Sequence, residues 1–212
     1  MFFFSSTTLI KPAHLQITGW LFYYIRKLKA MRVTGGQVKG AELKILPGRS
    51  IRPTTNVARQ AIFSILENSA KGWERALDLY AGSGALGIEA LSRKTEWVDF
   101  VDNRKRCCDI IKHNLEKMGV LHKAHVYCCS VKKAITFLSD SYDIIFLDPP
   151  YSDSSMNDLL ARLSNSKQVG ENSTIVICHA NRFPLSTDYD SLHLVKERNY
   201  GETFISTYQK EN

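Results

Sequence analysis

The sequence predicts an α/β fold built on a parallel sheet that is covered on both faces. Three observations carry that expectation. From Ala76 onward, short apolar runs alternate with stretches of helical spacing. Leu77-Asp78-Leu79-Tyr80-Ala81-Gly82-Ser83-Gly84-Ala85-Leu86-Gly87-Ile88-Glu89 reads as a buried strand, a glycine turn and a helix start. Ile144-Ile145-Phe146-Leu147 is apolar at every position, as a strand buried on both faces requires.

Size and composition fit this class. A chain of 212 residues accommodates one α/β domain with a small appendage. Apolar residues at 44% and charged residues at 23% are ordinary for a globular protein and argue against disorder away from the ends.

Residues 1–30 differ from the rest. Phe2-Phe3-Phe4 and the run Ile17–Ile25 are apolar, with Arg26, Lys27 and Lys29 behind them. A secretory signal has the reverse order, and the run is shorter than the ~20 residues of a membrane span. An amphipathic surface segment and an organellar presequence are alternatives. The preferred expectation is an upstream extension outside the core, with Met31 the natural first residue.

Residues 31–70 are expected to form a small β-hairpin or three short strands, then a helix. Val33, Val38, Leu43 and Ile45 are spaced around Gly35-Gly36 and Gly40. Pro47-Gly48 is a turn, and Thr55 or Asn56 can cap the helix, which stops near Asn68. Its apolar face is Val57, Ala58, Ala61, Ile62, Ile65 and Leu66.

Residues 71–212 carry the sheet. Strands are expected at 76–80, 97–102, 125–128, 143–147 and 174–178, with helices at 85–92, 104–118, 131–138 and 156–163. Leu192–Arg198 and Thr203–Tyr208 read as a closing hairpin around Tyr200-Gly201.

The net charge of +7 is clustered. Arg32, Lys39, Lys44, Arg49, Arg52 and Arg59 face a single acid, Glu42, in the same stretch. Such clusters bind nucleic-acid phosphates, so Arg32, Lys39, Arg49, Arg52 and Arg59 are candidate RNA contacts. The cysteines are odd in number, with adjacent pairs and no C-x-x-C, which suits reduced thiols in a cytoplasm. The histidines have no ligand spacing, so no metal site is expected.

Gly82-x-Gly84-x-x-Gly87 matches the dinucleotide fingerprint, which is weak alone. A tight turn without ligand and a nicotinamide cofactor both remain readings of it. Asp78, inside the preceding strand, points to S-adenosylmethionine, whose ammonium group a carboxylate can hold. Asp102, at the end of the second strand, can accept both ribose hydroxyls or cap the next helix. The candidate donor-binding residues are Asp78, Tyr80, Ala81, Gly82, Ser83, Gly84, Gly87, Asp102, Asn103 and Ser130.

Asp148-Pro149-Pro150-Tyr151 carries the acceptor chemistry. The prolines fix an extended turn and remove two N–H donors, leaving carbonyls and a carboxylate. Such a site accepts both hydrogens of an exocyclic amine and aims its lone pair at the donor methyl. Tyr151 offers a face for stacking the base, which must leave its stack to enter.

With these motifs in view, the chain resembles the RsmD family. The resemblance rests on Met31-Arg32-Val33-x-Gly35-Gly36, Arg52-Pro53-Thr54-Thr55, Asp78 to Gly87 with Glu89-Ala-Leu-Ser-Arg93, Asp148-Pro149-Pro150-Tyr151 and Tyr200-Gly201-x-Thr203. It implies a class I methyltransferase sheet of seven strands in the order 3-2-1-4-5-7-6. It also implies methyl transfer from S-adenosylmethionine to guanine N2 of 16S rRNA in the 30S subunit or its assembly intermediate. Asp78, Gly82, Gly84 and Asp102 then carry the donor and Asp148 to Tyr151 the guanine. A cytoplasmic monomer without stable membrane association is expected. The family's usual Thr-Thr-Asp-Arg-Val-Arg-Glu is Thr54-Thr55-Asn56-Val57-Ala58-Arg59-Gln60 here, and Ser130 stands where an acid is often found. A DNA adenine-N6 methyltransferase and a non-catalytic nucleotide- or RNA-binding module are the alternatives.

Overall fold

The computed structural model describes residues 31–46, 56–150, 153–180, 184–201 and 203–210. Residues 31–212 form one compact unit, and the expected extension 1–30 lies outside the described residues. The hairpin region and first helix therefore belong to the same unit as the sheet.

Parallel strands run through the centre: β1 (Arg75–Leu79), β2 (Trp97–Asp102), β3 (Ala124–Cys128), β4 (Tyr142–Leu147) and β5 (Val169–Ala180). The helices are α1 (Asn56–Ser69), α2 (Ala85–Arg93), α3 (Lys105–Lys117), α4 (Val131–Phe137) and α5 (Met156–Ser164). The chain closes with β6 (Asp188–Tyr189), β7 (Leu192–Tyr200) and β8 (Thr203–Lys210). The sheet order is β3-β2-β1-β4-β5-β8-β7-β6. This is the expected order with one strand added at the edge, giving eight strands rather than seven. The added β6 is two residues long and turns into β7 through Asp190, whose φ of 49° an aspartate tolerates. Thr187-Asp188-Tyr189-Asp190-Ser191 is too polar and short to read as a strand.

Alternation along β4 shows why the sheet is buried twice. Ile144 and Phe146 pack with α1, α2 and α3, whereas Ile145 and Leu147 pack with α4 and α5. Each such apolar side chain contributes roughly 1.5–3 kcal/mol on burial. Strand β5 begins earlier than its apolar run because Ser173 recruits the polar start. Its hydroxyl donates to the Tyr142 carbonyl at 2.5 Å and accepts the Gly170 N–H at 2.8 Å.

The expected N-terminal strands reduce to one bridge, Arg32↔Glu42, within a tight loop. Backbone bonds from Val33 to Ala41 and from Leu43 to Met31 hold it closed. The loop docks on the end of α2. Thr34 donates its N–H and hydroxyl to the Glu89 carboxylate, both at 2.7 Å, and Arg93 pairs with Glu89 at 3.0 Å. Gly36 has φ 76°, and a Cβ there would lie 1.8 Å from the Ser92 carbonyl oxygen, so only glycine permits this approach.

Candidate active site

The carboxyl ends of β3, β2, β1 and β4 lie side by side in that order. At these ends stand Ser130, then Asp102 and Asn103, then Tyr80 to Gly84, then Asp148 to Pro150. Because β1 pairs directly with β4 (Leu79↔Leu147), the glycine loop and the Asp-Pro-Pro loop are neighbours. Both leave the sheet where its winding reverses, the usual place for a ligand crevice in such sheets.

The glycine loop is shaped by left-handed residues. Tyr80 (φ 61°), Gly82 (φ 57°) and Gly84 (φ 78°) turn the chain from β1 into α2. Tyr80 has a Cβ, so its backbone stores strain of order 1–3 kcal/mol at this site. The loop is held from β2. Ala81 N–H donates to the Val101 carbonyl at 3.0 Å, and Gly82 N–H donates to Asp102 Oδ2 at 2.9 Å.

Asp78 is buried and its Oδ2 accepts the Gly87 N–H at 2.9 Å. Burial pushes its carboxyl well above the usual range, the Gly87 bond opposes that, and the charges of Asp148 and Asp102 add to the rise. The Cys178 thiol on β5 is pushed up by burial and by the same Asp148 and Asp78. Three carboxylates therefore converge at one edge of the sheet.

Gly87 belongs to the packing rather than to the open side of the loop. A Cβ there would stand 2.3 Å from a Phe100 ring carbon of β2. It lets α2 lie against β2 and gives its N–H to Asp78. Ser130 caps α4, its hydroxyl accepting the Lys133 N–H at 3.3 Å. Asn103 is exposed. Asp102 is more engaged than the sequence suggested. Besides Gly82, it accepts the Arg104 N–H at 2.9 Å and the Arg104 guanidinium at 3.2 Å and 3.3 Å.

In the acceptor loop, Pro149 is buried and Pro150 exposed; Tyr151 lies outside the described residues. Asp153, which the sequence reading passed over, fastens this loop. Its N–H donates to the Pro150 carbonyl at 2.8 Å. Its Oδ1 accepts the N–H and hydroxyl of Ser155 at 2.9 Å and 2.7 Å. Its Oδ2 stands 3.5 Å from the Tyr80 hydroxyl, across from the glycine loop. Burial first, and then Asp153, pushes the Tyr80 hydroxyl up to about 12, so it remains a donor at neutral pH.

Of the candidate RNA contacts, Lys39 is exposed and Arg32 is part-exposed, pairing with Glu42 at 3.4 Å. Arg49 and Arg52 lie outside the described residues. Arg59 is corrected: it is fully buried, and its Nη2 donates to the Arg32 carbonyl and the Asn56 side chain, both at 2.6 Å. A guanidinium inside the core cannot reach a phosphate, and burial lowers its pKa. It ties α1 to the N-terminal loop instead.

Sequence reading also missed Asn114 on α3. Its Oδ1 accepts the Lys44 N–H at 2.9 Å, and its Nδ2 donates to the carbonyls of Lys44 and Ser83, both at 3.0 Å. One buried amide thus joins the N-terminal segment to the glycine loop. An amide between Ile110-Ile111 and Leu115 on an otherwise apolar helix face was the available signal.

The sequence profile of the family described as conserved hypothetical protein 95 matches residues 31–209. A Bacillus subtilis protein, provisionally named rRNA methyltransferase YlbH, is 35% identical over 183 residues, spanning 85% of this chain and 99% of that protein. Ribosomal RNA small subunit methyltransferase D of Buchnera aphidicola is 29% identical, spanning 88% of this chain and 95% of that protein. Among solved structures, a provisionally named methyltransferase from Escherichia coli shares this fold with a TM-score of 0.75 at 24% identity, covering 86% of this chain and 98% of that one.

Proposed function

The chain belongs to the family of conserved hypothetical protein 95, the RsmD-like family, and on that premise we propose that it is an S-adenosylmethionine-dependent methyltransferase acting on the exocyclic N2 of a guanine in 16S rRNA. One observation carries the reading. The glycine loop after β1 and the Asp148-Pro149-Pro150 loop after β4 leave adjacent strands on the same edge.

The residues present suit such a donor. Asp78, Asp102 and Asp148 converge there, and a cationic ligand group would relieve the raised Asp78 carboxyl. S-adenosylmethionine supplies a methyl group on a sulfonium, an activated leaving group that needs no strong nucleophile. Asp78 and the loop from Tyr80 to Gly84 hold the donor. Asp148 and the Pro149 carbonyl accept the two hydrogens of the amine and orient its lone pair. The chain then contributes by positioning and electrostatics rather than by a covalent intermediate.

The names of the relatives support rRNA as the substrate. We assign RNA contact to residues 31–70, through Lys39 and Arg32 among the described cations, and methyl transfer to residues 71–212. The setting is a cytoplasmic monomer acting on the 30S subunit or its assembly intermediate.

Mass spectrometry of nucleosides from purified 16S rRNA tests the proposal. Cells carrying the gene, lacking it, or carrying only an Asp148→Ala copy are compared. N2-methylguanosine is expected to fall in the second and third cases. An unchanged content in cells lacking the gene overturns the reading.

A further inference from the structure

The closing hairpin carries a surface that methyl transfer does not use. A bulge between Leu194 and Lys196 resets β7 against β8, leaving Lys196 opposite Thr207, Arg198 opposite Ile205 and Tyr200 opposite Thr203. Directly opposed residues of an antiparallel pair share a face. Lys196, Arg198 and Tyr200 therefore form one stripe, about 7 Å apart along the strand. Glu197 lies on the other face, where it accepts the Ser206 hydroxyl at 2.7 Å.

The facing side can be identified. Ile205 packs in the core with α1, and the Gln209 side chain donates to the Ser69 carbonyl at the end of α1. The stripe thus lies on the α1 side of the sheet, the side of the N-terminal loop. The Tyr200-Gly201 turn is also at the carboxyl edge, since Thr203 pairs with Ala180 at the end of β5. Strand β7 is three strand spacings, about 14 Å, from β4 and its acceptor loop. Arg198 is exposed, Lys196 is half-buried and Tyr200 is 37% exposed. Beyond the backbone pairing with β8, none of the three side chains makes a hydrogen bond or ion pair among the described residues.

We propose that Lys196, Arg198 and Tyr200 form a platform for the single-stranded RNA that flanks the target base. The inference rests on the reading that the substrate is RNA. Two cations at alternate positions track a phosphate backbone, and an aromatic ring at the end nearest the acceptor edge stacks a base without reading its identity. Two cations followed by an aromatic fit a nucleic-acid strand better than an acidic protein, which has no use for the stacking face. The turn glycine, Gly201 at φ 72° with nothing within 4 Å of a Cβ, leaves the approach to Tyr200 open.

Fluorescence anisotropy tests this with the full chain and a labelled single-stranded oligoribonucleotide of about 12 nucleotides. No methyl donor is added, so the result is independent of catalysis. Lys196→Ala and Arg198→Gln should each weaken binding several-fold and reduce the log–log salt slope by about 0.7. Tyr200→Ala should weaken it about tenfold with the slope unchanged, while Tyr200→Phe retains affinity. Lys167→Ala, at the opposite edge, should bind as wild type. Thermal melts identify any variant that fails to fold, in which case the Tyr200→Ala and Tyr200→Phe pair decides. Wild-type binding by all variants, or Tyr200→Phe as weak as Tyr200→Ala, overturns the platform. If these variants lose RNA while the protein methylates no guanine, the platform stands and the proposed function falls. If rRNA is methylated with unchanged KM in every variant, the platform falls and the function stands.

Discussion

Asn114 pairs with both backbone groups of Lys44, as one strand pairs with another. The Lys44 N–H lies 2.9 Å from Oδ1, and Nδ2 lies 3.0 Å from the Lys44 carbonyl. The same Nδ2 reaches the Ser83 carbonyl in the glycine loop at 3.0 Å. Replacing it by alanine strands these groups in a part-buried place. Asn114→Ala should lose about 2–3 kcal/mol of stability in urea melts. Asn114→Asp should fare no better, because it sets a carboxylate against two carbonyl oxygens.

Asp78 ionises at a cost to the folded state. Its folded pKa lies above its unfolded value, chiefly through burial, so the folded state holds the proton more tightly. The stabilisation from this group is complete below about pH 4, the unfolded carboxylate value, and is lost as pH rises toward the raised folded value. Asp78→Asn keeps an oxygen for the Gly87 N–H and cannot ionise. It should be more stable than wild type at neutral pH, with the gain vanishing near pH 4 in denaturant melts. Donor affinity by calorimetry should fall at least about tenfold.

Asp153 sets the acceptor loop against the glycine loop. Asp153→Ala removes the acceptor for Ser155 and Tyr80 together, and kcat should fall about 10- to 100-fold with the donor KM within about twofold. Asp153→Asn retains Oδ1 for Ser155 and should keep most of the rate. Equal loss in the two variants would show that the negative charge matters rather than the fastening.

Arg104 competes for Asp102. The carboxylate accepts Gly82 N–H and three bonds from Arg104, which fills its lone-pair positions. Arg104→Ala removes the two guanidinium bonds and should tighten donor binding several-fold in calorimetry. The side chain of Arg104 is 45% exposed, so stability should change by less than about 1 kcal/mol. Weaker donor binding in this variant would make Arg104 a ligand contact instead.

The elements were legible because their signals are local. Ile144 to Leu147 could only be a buried strand, and Gly82 to Gly87 could only be a turn opening a helix. β6 was not legible, because a pair of residues in a polar loop becomes a strand only when β7 is already in place. The early start of β5 was hidden for a related reason: Ser173 links the Gly170 N–H to the carbonyl of Tyr142, a residue on another strand, where the β4–β5 register shifts. Arg59 misled in the opposite direction. Its charge reads as surface, but its partners are the Arg32 carbonyl and Asn56, inside the unit.

By itself the sequence determined the strand–helix rhythm, the glycine turn, the Asp-Pro-Pro loop and the family, because periodicity, proline and glycine act over a few residues. Only the tertiary structure decided which groups are occupied. It turned Gly87 into a packing residue against Phe100, filled Asp102 with Gly82 and Arg104, and buried Arg59. It also revealed Asn114 and Asp153 as the side chains that fasten the loops. Hydrogen-bond partners and desolvation depend on groups far apart in the chain, such as Asn114 and Lys44, and no local pattern records them.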